Sequence, residues 1–258
     1  MKKTFTNPVI ILVTFVLFFV VINSCQSGNE LKPENTHHIS QENSDQDSIN
    51  ESETTFMTYL ALGDSYTIGE GVTVEDRYPV QLQSQLVENN IHLEELKIIA
   101  QTGWTTGQLL DAIESTTLNE QYGMVSLLIG VNNQYRGMSI NHYREEFETL
   151  LDMSIEFAGQ DPEKVIVLSI PDWGVTPYAE GQDREKIARE IDAFNHVNLE
   201  ESEKKGVHYI NVTDISRMAA TQPNLIAGDG LHPSGIMYAM WVDKMIPLAI
   251  SIFEKQQD

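Results

Sequence analysis

The sequence predicts an α/β domain built on a five-stranded parallel sheet, and two observations favour it. First, short apolar runs of strand length alternate with segments of helical period from residue 56 onward. Second, these runs are apolar almost throughout, as strands covered by helices on both faces require. Right-handed connections then place the carboxyl ends of all strands at one edge of the sheet, where ligands bind.

The elements follow from these runs in chain order. The five predicted strands cover residues 56–61, 96–100, 124–129, 165–170 and 207–212. Apolar residues at helical spacing over 140–158 and 187–198 predict two helices that pack on the sheet. A last helix is expected to begin near Ser234, and Pro247 is expected to bend or end it.

The amino terminus is typical of an exported protein. Two lysines precede an apolar run over residues 9–22, and small or polar residues follow, so residues 1–24 are predicted to be a signal peptide. Ile22-Asn23-Ser24-Cys25 resembles the lipobox of bacterial lipoproteins, which implies cleavage before Cys25 and lipid attachment there. The alternative is an uncleaved transmembrane anchor, although the run is shorter than the ~20 residues that span a bilayer. Both alternatives place the remaining chain outside the cytoplasm, in the cell envelope.

Residues 25–55 are predicted to be a lipid-anchored flexible linker, and residues 56–258 the folded domain. The linker is rich in Ser, Asn, Gln, Glu and Asp and has too few apolar residues to form a core. It contains His37-His38, for which a solvated linker is favoured over a metal site because no other ligands cluster nearby. Since Cys25 is the single cysteine, no thiol remains for a disulfide, a zinc thiolate or a nucleophile.

The charge balance restricts the partners. The formal net charge is −22, and binding to nucleic acid or to anionic lipid requires clustered Lys and Arg. The sequence therefore argues against a nucleic-acid partner and favours a neutral or cationic substrate.

Four loops at the predicted active edge carry the residues of a serine hydrolase. Ester cleavage by a serine needs a base, an acid that orients the base, and donors for the oxyanion. Ser65 is the candidate nucleophile, His232 the base, and Asp229 the orienting acid. Backbone amides of Ser65 and Gly103 and the side-chain amide of Asn132 are the candidate oxyanion donors. Asp172 and Asp214 also follow strands, but Asp229 is preferred because it lies three residues from His232.

These motifs resemble the four signature blocks of the SGNH or GDSL hydrolase superfamily. The blocks are Gly63-Asp64-Ser65, Gly103, Gly130-Val131-Asn132-Asn133 and Asp229-Gly230-Leu231-His232-Pro233. The resemblance implies a flavodoxin-like three-layer sandwich with strand order 2-1-3-4-5, ester hydrolysis without a metal or other cofactor, and the roles assigned above. Tyr66 stands where many members carry Leu, and Asn133 replaces a common Asp at a supporting position.

Trp104 and Trp173 are the candidate residues of a substrate pocket. The segment 170–177 resembles a loop after strand four in bacterial members, which implies that Trp173 lies beside the site. The alternative is that Trp173 is simply an aromatic residue packed under a loop.

The sequence therefore predicts an envelope lipoprotein that hydrolyses small acyl esters. Short-chain or aryl esters, O-acetyl groups on polysaccharide and acyl lipids all remain as substrate classes, and the absence of a long apolar lid favours small acyl groups. A Gly-x-Ser-x-Gly elbow is absent, which argues against the α/β-hydrolase fold. Two alternatives are kept: a non-catalytic lipoprotein that binds a glycan or lipid, and a metal-dependent hydrolase that uses His232.

Overall fold

The computed structural model describes residues 57–256, which contain one sheet of five parallel strands. The strands are β1 (Thr58–Gly63), β2 (Glu95–Ala100), β3 (Met124–Leu128), β4 (Val165–Leu168) and β5 (His208–Ile210). Their spatial order is β2-β1-β3-β4-β5. The predicted α/β fold and its strand order are therefore confirmed.

Eight α-helices connect and follow the strands in the described part of the chain. They are α1 (Ser65–Ile68), α2 (Tyr78–Glu88), α3 (Thr106–Ser115), α4 (Val131–Tyr135), α5 (Ile140–Phe157), α6 (Arg184–Lys205), α7 (Thr213–Arg217) and α8 (Gly235–Glu254). Short 3-10 helices cover Pro162–Lys164, Trp173–Val175, Pro177–Ala179, Met218–Ala220 and Pro223–Leu225. The two helices predicted from apolar spacing correspond to α5 and α6, and the predicted last helix corresponds to α8.

The helices form two layers on the sheet. α2 packs against α8, and α7 also contacts α8, whereas α3 contacts α5 and α5 contacts α6. The central strands β1, β3 and β4 are buried at every residue, and the edge strands β2 and β5 are mostly half-buried. Coverage on both faces explains why the central strands are apolar without alternation.

The last two strands are shorter than predicted because side chains replace their ladder bonds. Beyond Leu168, the backbone N–H of Ile170 donates to Asn195 Oδ1 at 2.7 Å, and the Ile170 carbonyl accepts from Asn195 Nδ2 at 2.9 Å. Beyond Ile210, the backbone N–H of Val212 donates to Ser169 Oγ at 2.8 Å. Apolar composition alone does not distinguish residues paired by backbone from residues paired by side chains.

Helix α8 continues through Pro247 to Glu254, so the proline does not end it. Proline removes the hydrogen bond to the carbonyl four residues earlier, here that of Asp243. Both Pro247 and Asp243 lie on the exposed side of the helix, where water is available to that carbonyl. α8 is long and apolar enough to cross a membrane by composition, but its apolar side, including Trp241 and Met245, is buried in the core of the domain.

A buried carboxyl group lies at the carboxyl end of β1. Asp64 caps α1 and is 1% exposed; its Oδ1 accepts a hydrogen bond from the backbone N–H of Tyr66 at 3.1 Å. Its Oδ2 has no hydrogen-bond partner among residues 57–256. Burial raises the pKa of Asp64 to about 7, although the bond from Tyr66 acts in the opposite direction. The folded protein therefore holds a proton on Asp64 under mildly acidic conditions.

This proton predicts a pH-dependent stability. Between about pH 4 and pH 7 the unfolded chain has an ionised Asp64 and the folded chain a protonated one, so stability falls as the pH rises. Relative to Asp64→Asn, the wild type should lose up to about 4 kcal/mol of unfolding free energy over that interval. Urea unfolding of both proteins from pH 4 to 8 measures the difference, with Asp111→Asn, on the exposed side of α3, as a control. Parallel curves for the wild type and Asp64→Asn would contradict the assignment.

Candidate active site

A cavity of about 140 Å³ opens at the carboxyl edge of the sheet and gathers most of the predicted site residues. Ser65, Gly103, Asn132, Trp173 and His232 all line it. The remaining lining residues are mainly apolar or aromatic: Tyr66, Thr102, Val131, Tyr135, Tyr178 and Leu231. Strand pairing explains the convergence, because Gly63 at the end of β1 lies beside Ala100 of β2 and Leu128 of β3.

Ser65 is placed by a tight turn between β1 and α1. It is the first residue of α1 and is 5% exposed. A Cβ atom on Gly63 would lie 2.1 Å from Thr67 Oγ1 and 2.4 Å from the carbonyl oxygen of Leu128. Glycine is therefore required at position 63, since any side chain would push the turn away from β3.

His232 and Asp229 form a hydrogen-bonded pair within one short loop. His232 Nδ1 lies 2.6 Å from Asp229 Oδ2, and Asp229 Oδ1 accepts from the backbone N–H groups of Leu231 at 2.9 Å and His232 at 3.0 Å. Partial burial acts to raise the pKa of Asp229, but the hydrogen bonds from Leu231 and His232 outweigh it, and the pKa lies below its ordinary value. An ionised Asp229 holds the proton on Nδ1, so Nε2 is left as an acceptor.

The loop that carries this pair is itself fixed by backbone bonds. The N–H of Ala227 donates to the carbonyl of His232 at 2.8 Å, and the N–H of Tyr178 donates to the carbonyl of Gly230 at 2.9 Å. Gly230 has a φ of +76°, a conformation that side chains disfavour. The imidazole also contacts the ring of Tyr66 edge-on, with centroids 5.8 Å apart. The ring of His232 is therefore held from both sides.

Gly103 and Asn132 are held by contacts with each other's loops. Gly103 has a φ of +86°, and its carbonyl accepts from Arg136 Nη2 at 2.6 Å. Asn132 Nδ2 donates to the carbonyl of Trp104 at 2.9 Å, which occupies one of its two N–H bonds. The backbone N–H of Gly103 and the second N–H of Asn132 remain as donors for a ligand.

Asn133 explains how the third motif is supported. Asn133 is fully buried; its Oδ1 accepts from the backbone N–H of Thr106 at 3.1 Å and its Nδ2 donates to Thr106 Oγ1 at 2.6 Å. Because the Thr106 hydroxyl donates to Glu146, its partner at position 133 must donate to it, and the amide of Asn133 does so while its oxygen accepts. Asn133 therefore ties α4 to the first turn of α3.

The two rival carboxylates are used elsewhere. Asp172 is buried, accepts from Arg217 Nε at 3.0 Å and from the backbone N–H of Gly174 at 2.9 Å. Asp214 accepts from Asn211 Nδ2 at 2.9 Å. Asp229 is the acid that contacts His232, as its position in sequence predicted.

The two tryptophans differ in their relation to the cavity. Trp173 lines it, is 6% exposed, and donates from Nε1 to Gln134 Oε1 at 2.8 Å. Trp104 is not among the residues that line the cavity, so its assignment to the pocket stays a prediction. Its side chain packs against the core, and its contribution to the site is the carbonyl that accepts from Asn132.

Sequence reasoning missed Tyr135 and Tyr178, which also line the cavity. Tyr135 is the last residue of the short helix α4, four positions after Val131, so recognition of that helix would have placed it on the same side. Tyr178 lies in a 3-10 turn, and no periodic pattern indicates its position.

The described residues offer no metal site of the kind that His, Cys, Asp and Glu clusters form. Over residues 57–256 there is no group of three or more His, Cys, Asp or Glu side chains that could hold a metal ion. His37-His38 and Cys25 lie outside the described residues. The linker and signal-peptide assignments therefore stay predictions.

Known proteins resemble the chain in sequence pattern and in fold. Residues 61–240 match the GDSL-like Lipase/Acylhydrolase family, whereas no curated protein sequence matches the chain. Similar solved structures include TesA (19% identity, TM-score 0.59, 76% of this chain and 99% of that one). The esterase EstA from Pseudoalteromonas sp. gives 20% identity and a TM-score of 0.52 over 78% and 96% of the two chains. A variant of Axe2, an acetyl-xylooligosaccharide esterase from Geobacillus Stearmophilus, has 16% identity and a TM-score of 0.55, with 80% of this chain and 95% of that chain covered.

These structural similarities, all at low identity, concern the fold, and the family match covers the whole set of site motifs from β1 to α8. It includes the Gly-Asp-Ser turn, the loops after β2 and β3, and the Asp229–His232 pair. The family match contradicts the alternative that the chain is a non-catalytic binding protein. The chain belongs to the GDSL-like lipase/acylhydrolase family and is an esterase or acylhydrolase of the SGNH type.

Proposed function

We propose that this enzyme hydrolyses esters of small acyl groups by a Ser65, His232 and Asp229 mechanism. The observation that carries the proposal is the 2.6 Å contact between His232 Nδ1 and Asp229 Oδ2 beside Ser65 in one small cavity. The contact leaves Nε2 of His232 free to accept a proton inside the cavity. Nucleophile, base and orienting acid are thus supplied by the chain itself.

In the first half of the reaction, Ser65 Oγ attacks the ester carbon and its proton passes to His232 Nε2. The tetrahedral intermediate then breaks its bond to the alcohol oxygen, and His232 gives the proton to that oxygen. In the second half, water attacks the acyl carbon, its proton passes to His232, and Ser65 is restored when it regains the proton. One ester and one water give one acid and one alcohol.

Asp229 stabilises the imidazolium that forms twice in this cycle. Its pKa lies below the ordinary value, so it remains a carboxylate while His232 carries the extra proton. The oxyanion is assigned to the backbone N–H groups of Ser65 and Gly103 and to the second N–H of Asn132. A donor of this kind is typically worth ~3 kcal/mol in the transition state.

The size and chemistry of the cavity favour a short acyl group. Its volume of about 140 Å³ is of the order that holds one benzene-sized group, and its walls include Val131 and Leu231. The family description covers both lipases and acylhydrolases, so the family does not decide the chain length. Among the similar structures, the acetyl-xylooligosaccharide esterase is compatible with an acetyl ester.

The first test is the dependence of the rate on acyl length. The purified full-length protein should hydrolyse p-nitrophenyl acetate and butyrate with a kcat/KM at least about tenfold above that for the octanoate, because the cavity excludes the longer chain. Ser65→Ala should lower the rate on the short esters by about 10³-fold or more. Efficient octanoate hydrolysis without acetate hydrolysis would contradict the proposed acyl size. Activity that survives in Ser65→Ala would contradict the nucleophile.

A second test separates the orienting acid from its rivals. Asp229→Asn should lower kcat by about 10²–10⁴-fold, since an amide no longer holds the tautomer with the proton on Nδ1. Asp214→Asn is a matched control, because Asp214 also follows a strand and is exposed, yet contacts Asn211 rather than His232. Equal losses in the two variants, measured on p-nitrophenyl acetate, would argue against the role of Asp229.

We also propose that the chain is an exported lipoprotein of the bacterial cell envelope, anchored through lipid on Cys25. The basic start, the apolar run and Ile22-Asn23-Ser24-Cys25 support this proposal. The acidic charge of the chain makes attachment through headgroup electrostatics unfavourable, so a covalent anchor is the simpler route to the membrane. The substrate partner is then a small ester or an acylated glycan outside the cytoplasm.

The anchor is tested by expressing the full-length chain and Cys25→Ser in bacteria fed a radiolabelled fatty acid. The wild type should carry the label and sediment with membranes, whereas Cys25→Ser should lack the label because no thiol remains to accept the lipid. Serine at position 24 offers the control: Ser24→Ala keeps a small residue before the cleavage point and should still be labelled. A labelled Cys25→Ser protein, or an unlabelled wild type, would rule out the anchor.

A further inference from the structure

A second concavity adjoins the catalytic cavity on the side of α4 and α6. This groove, of about 460 Å³, is lined in part by Gln134, Tyr135, Trp173, Gln182, Lys186 and Glu190. Tyr135 and Trp173 line both the groove and the catalytic cavity. A substrate whose acyl group occupies the cavity can therefore extend into the groove without a break in the surface.

Tyr135 gives the junction a rigid aromatic surface. Its side chain is 55% exposed, yet its ring contacts Trp173 edge-on with centroids 5.4 Å apart. Its hydroxyl lies 3.2 Å from the hydroxyl of Tyr178, which is itself half exposed. An exposed ring that is fixed by two aromatic neighbours loses little freedom on binding, and its face suits the C–H groups of a sugar ring.

The floor of the groove is a row of linked polar side chains. Trp173 Nε1 donates to Gln134 Oε1 at 2.8 Å, and Gln134 Nε2 donates to Glu190 Oε2 at 2.7 Å. Lys186 Nζ lies 3.6 Å from the other oxygen of Glu190. Gln182 adds an exposed amide at the rim. The row offers both donors and acceptors, as a polyhydroxylated ligand requires.

The same row disfavours other occupants. A long acyl chain in the groove would remove water from Glu190 and Lys186 without replacing their hydrogen bonds. An anionic group would face Asp183 as well as Glu190, which together exceed the single charge of Lys186. A neutral ligand with many hydroxyl groups can hydrogen-bond to Glu190 and Lys186 and is not repelled by the two carboxylates.

We propose that this groove binds the alcohol side of the substrate and that the alcohol is a neutral oligosaccharide, with Tyr135 packing against a sugar ring. The proposal rests on the esterase mechanism above and specifies its leaving group. The ester bond between the acyl carbon and the sugar oxygen breaks, and the proton that His232 took from Ser65 passes to that sugar oxygen. The acyl group stays on Ser65 until water releases it.

The test compares kcat/KM for O-acetylated cellotetraose, xylotetraose and mannotetraose with kcat/KM for p-nitrophenyl acetate in the full-length protein. Tyr135→Ala should lower the ratio of the best sugar ester to p-nitrophenyl acetate about tenfold, because the aromatic surface is lost. Tyr135→Phe keeps the ring and should retain the ratio within about twofold. Gln182→Ala, at the exposed rim, should lower the ratio about threefold. Because Gln182 is exposed, this variant tests the groove even if Tyr135→Ala does not fold. Val87→Ala, on the exposed side of α2, is the control that should change neither rate.

Calorimetry with the unacetylated oligosaccharides measures sugar binding in the groove independently of ester hydrolysis by Ser65. Binding that weakens about tenfold in Tyr135→Ala supports the groove even if Ser65→Ala leaves p-nitrophenyl acetate hydrolysis intact, an outcome that would refute only the mechanism. Hydrolysis that depends on Ser65, together with no sugar binding and an unchanged ratio in Tyr135→Ala, would overturn the groove proposal alone. A higher kcat/KM for lysophospholipid than for every sugar ester would also overturn it, in favour of a lipid substrate.

Discussion

The close approach of Thr67 and of the Leu128 carbonyl to Gly63 is the constraint on which the rest of the site depends. A Cβ atom there would overlap both Thr67 Oγ1 and the carbonyl of Leu128. Because glycine has no Cβ atom, β1 can pass into α1 directly beside the end of β3. That turn sets Ser65 at the edge where the loops after β2 and β3 also arrive. The parallel register of β1 with both neighbours then brings Gly103 and Asn132 to the same cavity. A sheet with antiparallel strands would have distributed these loops over both edges.

Two carboxyl groups close to Ser65 have pKa values shifted in opposite directions by their surroundings. Asp229 receives hydrogen bonds from two backbone N–H groups and from His232, and these outweigh its partial burial. Asp64 is more deeply buried and receives one backbone bond at Oδ1, so burial dominates and its pKa rises to about 7. The first is therefore suited to stabilise a positive imidazole, whereas the second, with its pKa of about 7, carries only part of a negative charge near the nucleophile at neutral pH. The difference matters in a chain with a formal net charge of −22, because additional ionised carboxylates near Ser65 would repel the oxyanion of the transition state.

Much of this arrangement could be predicted from the sequence, because strand length, strand apolarity and motif order are local signals. The gathering of Ser65, Gly103, Asn132 and His232 followed from motifs that each stand after a strand, and the strand order was implied by the family resemblance that these motifs carry. The remaining features depend on contacts between distant residues. β4 ends where Asn195, on α6, takes over the backbone bonds of Ile170, and no pattern in the strand itself reports this. The bond from Asn132 to the backbone carbonyl of Trp104 is another contact of this kind, because no pattern around Trp104 indicates it.

Helix α6 links the two halves of the proposed substrate site. Asn195 fixes the backbone at Ile170, just before the loop that carries Trp173, and Glu190, one and a half turns earlier on the same helix, holds Gln134 through the bond at 2.7 Å. Gln134 in turn accepts from Trp173. The wall between cavity and groove is thus bonded to one rigid helix on both sides of Trp173. Because the cavity and the groove share this wall, the fold sets the distance between them. The proposed site would then select an ester by the distance between its acyl carbon and its alcohol ring, as well as by the chemistry of each part.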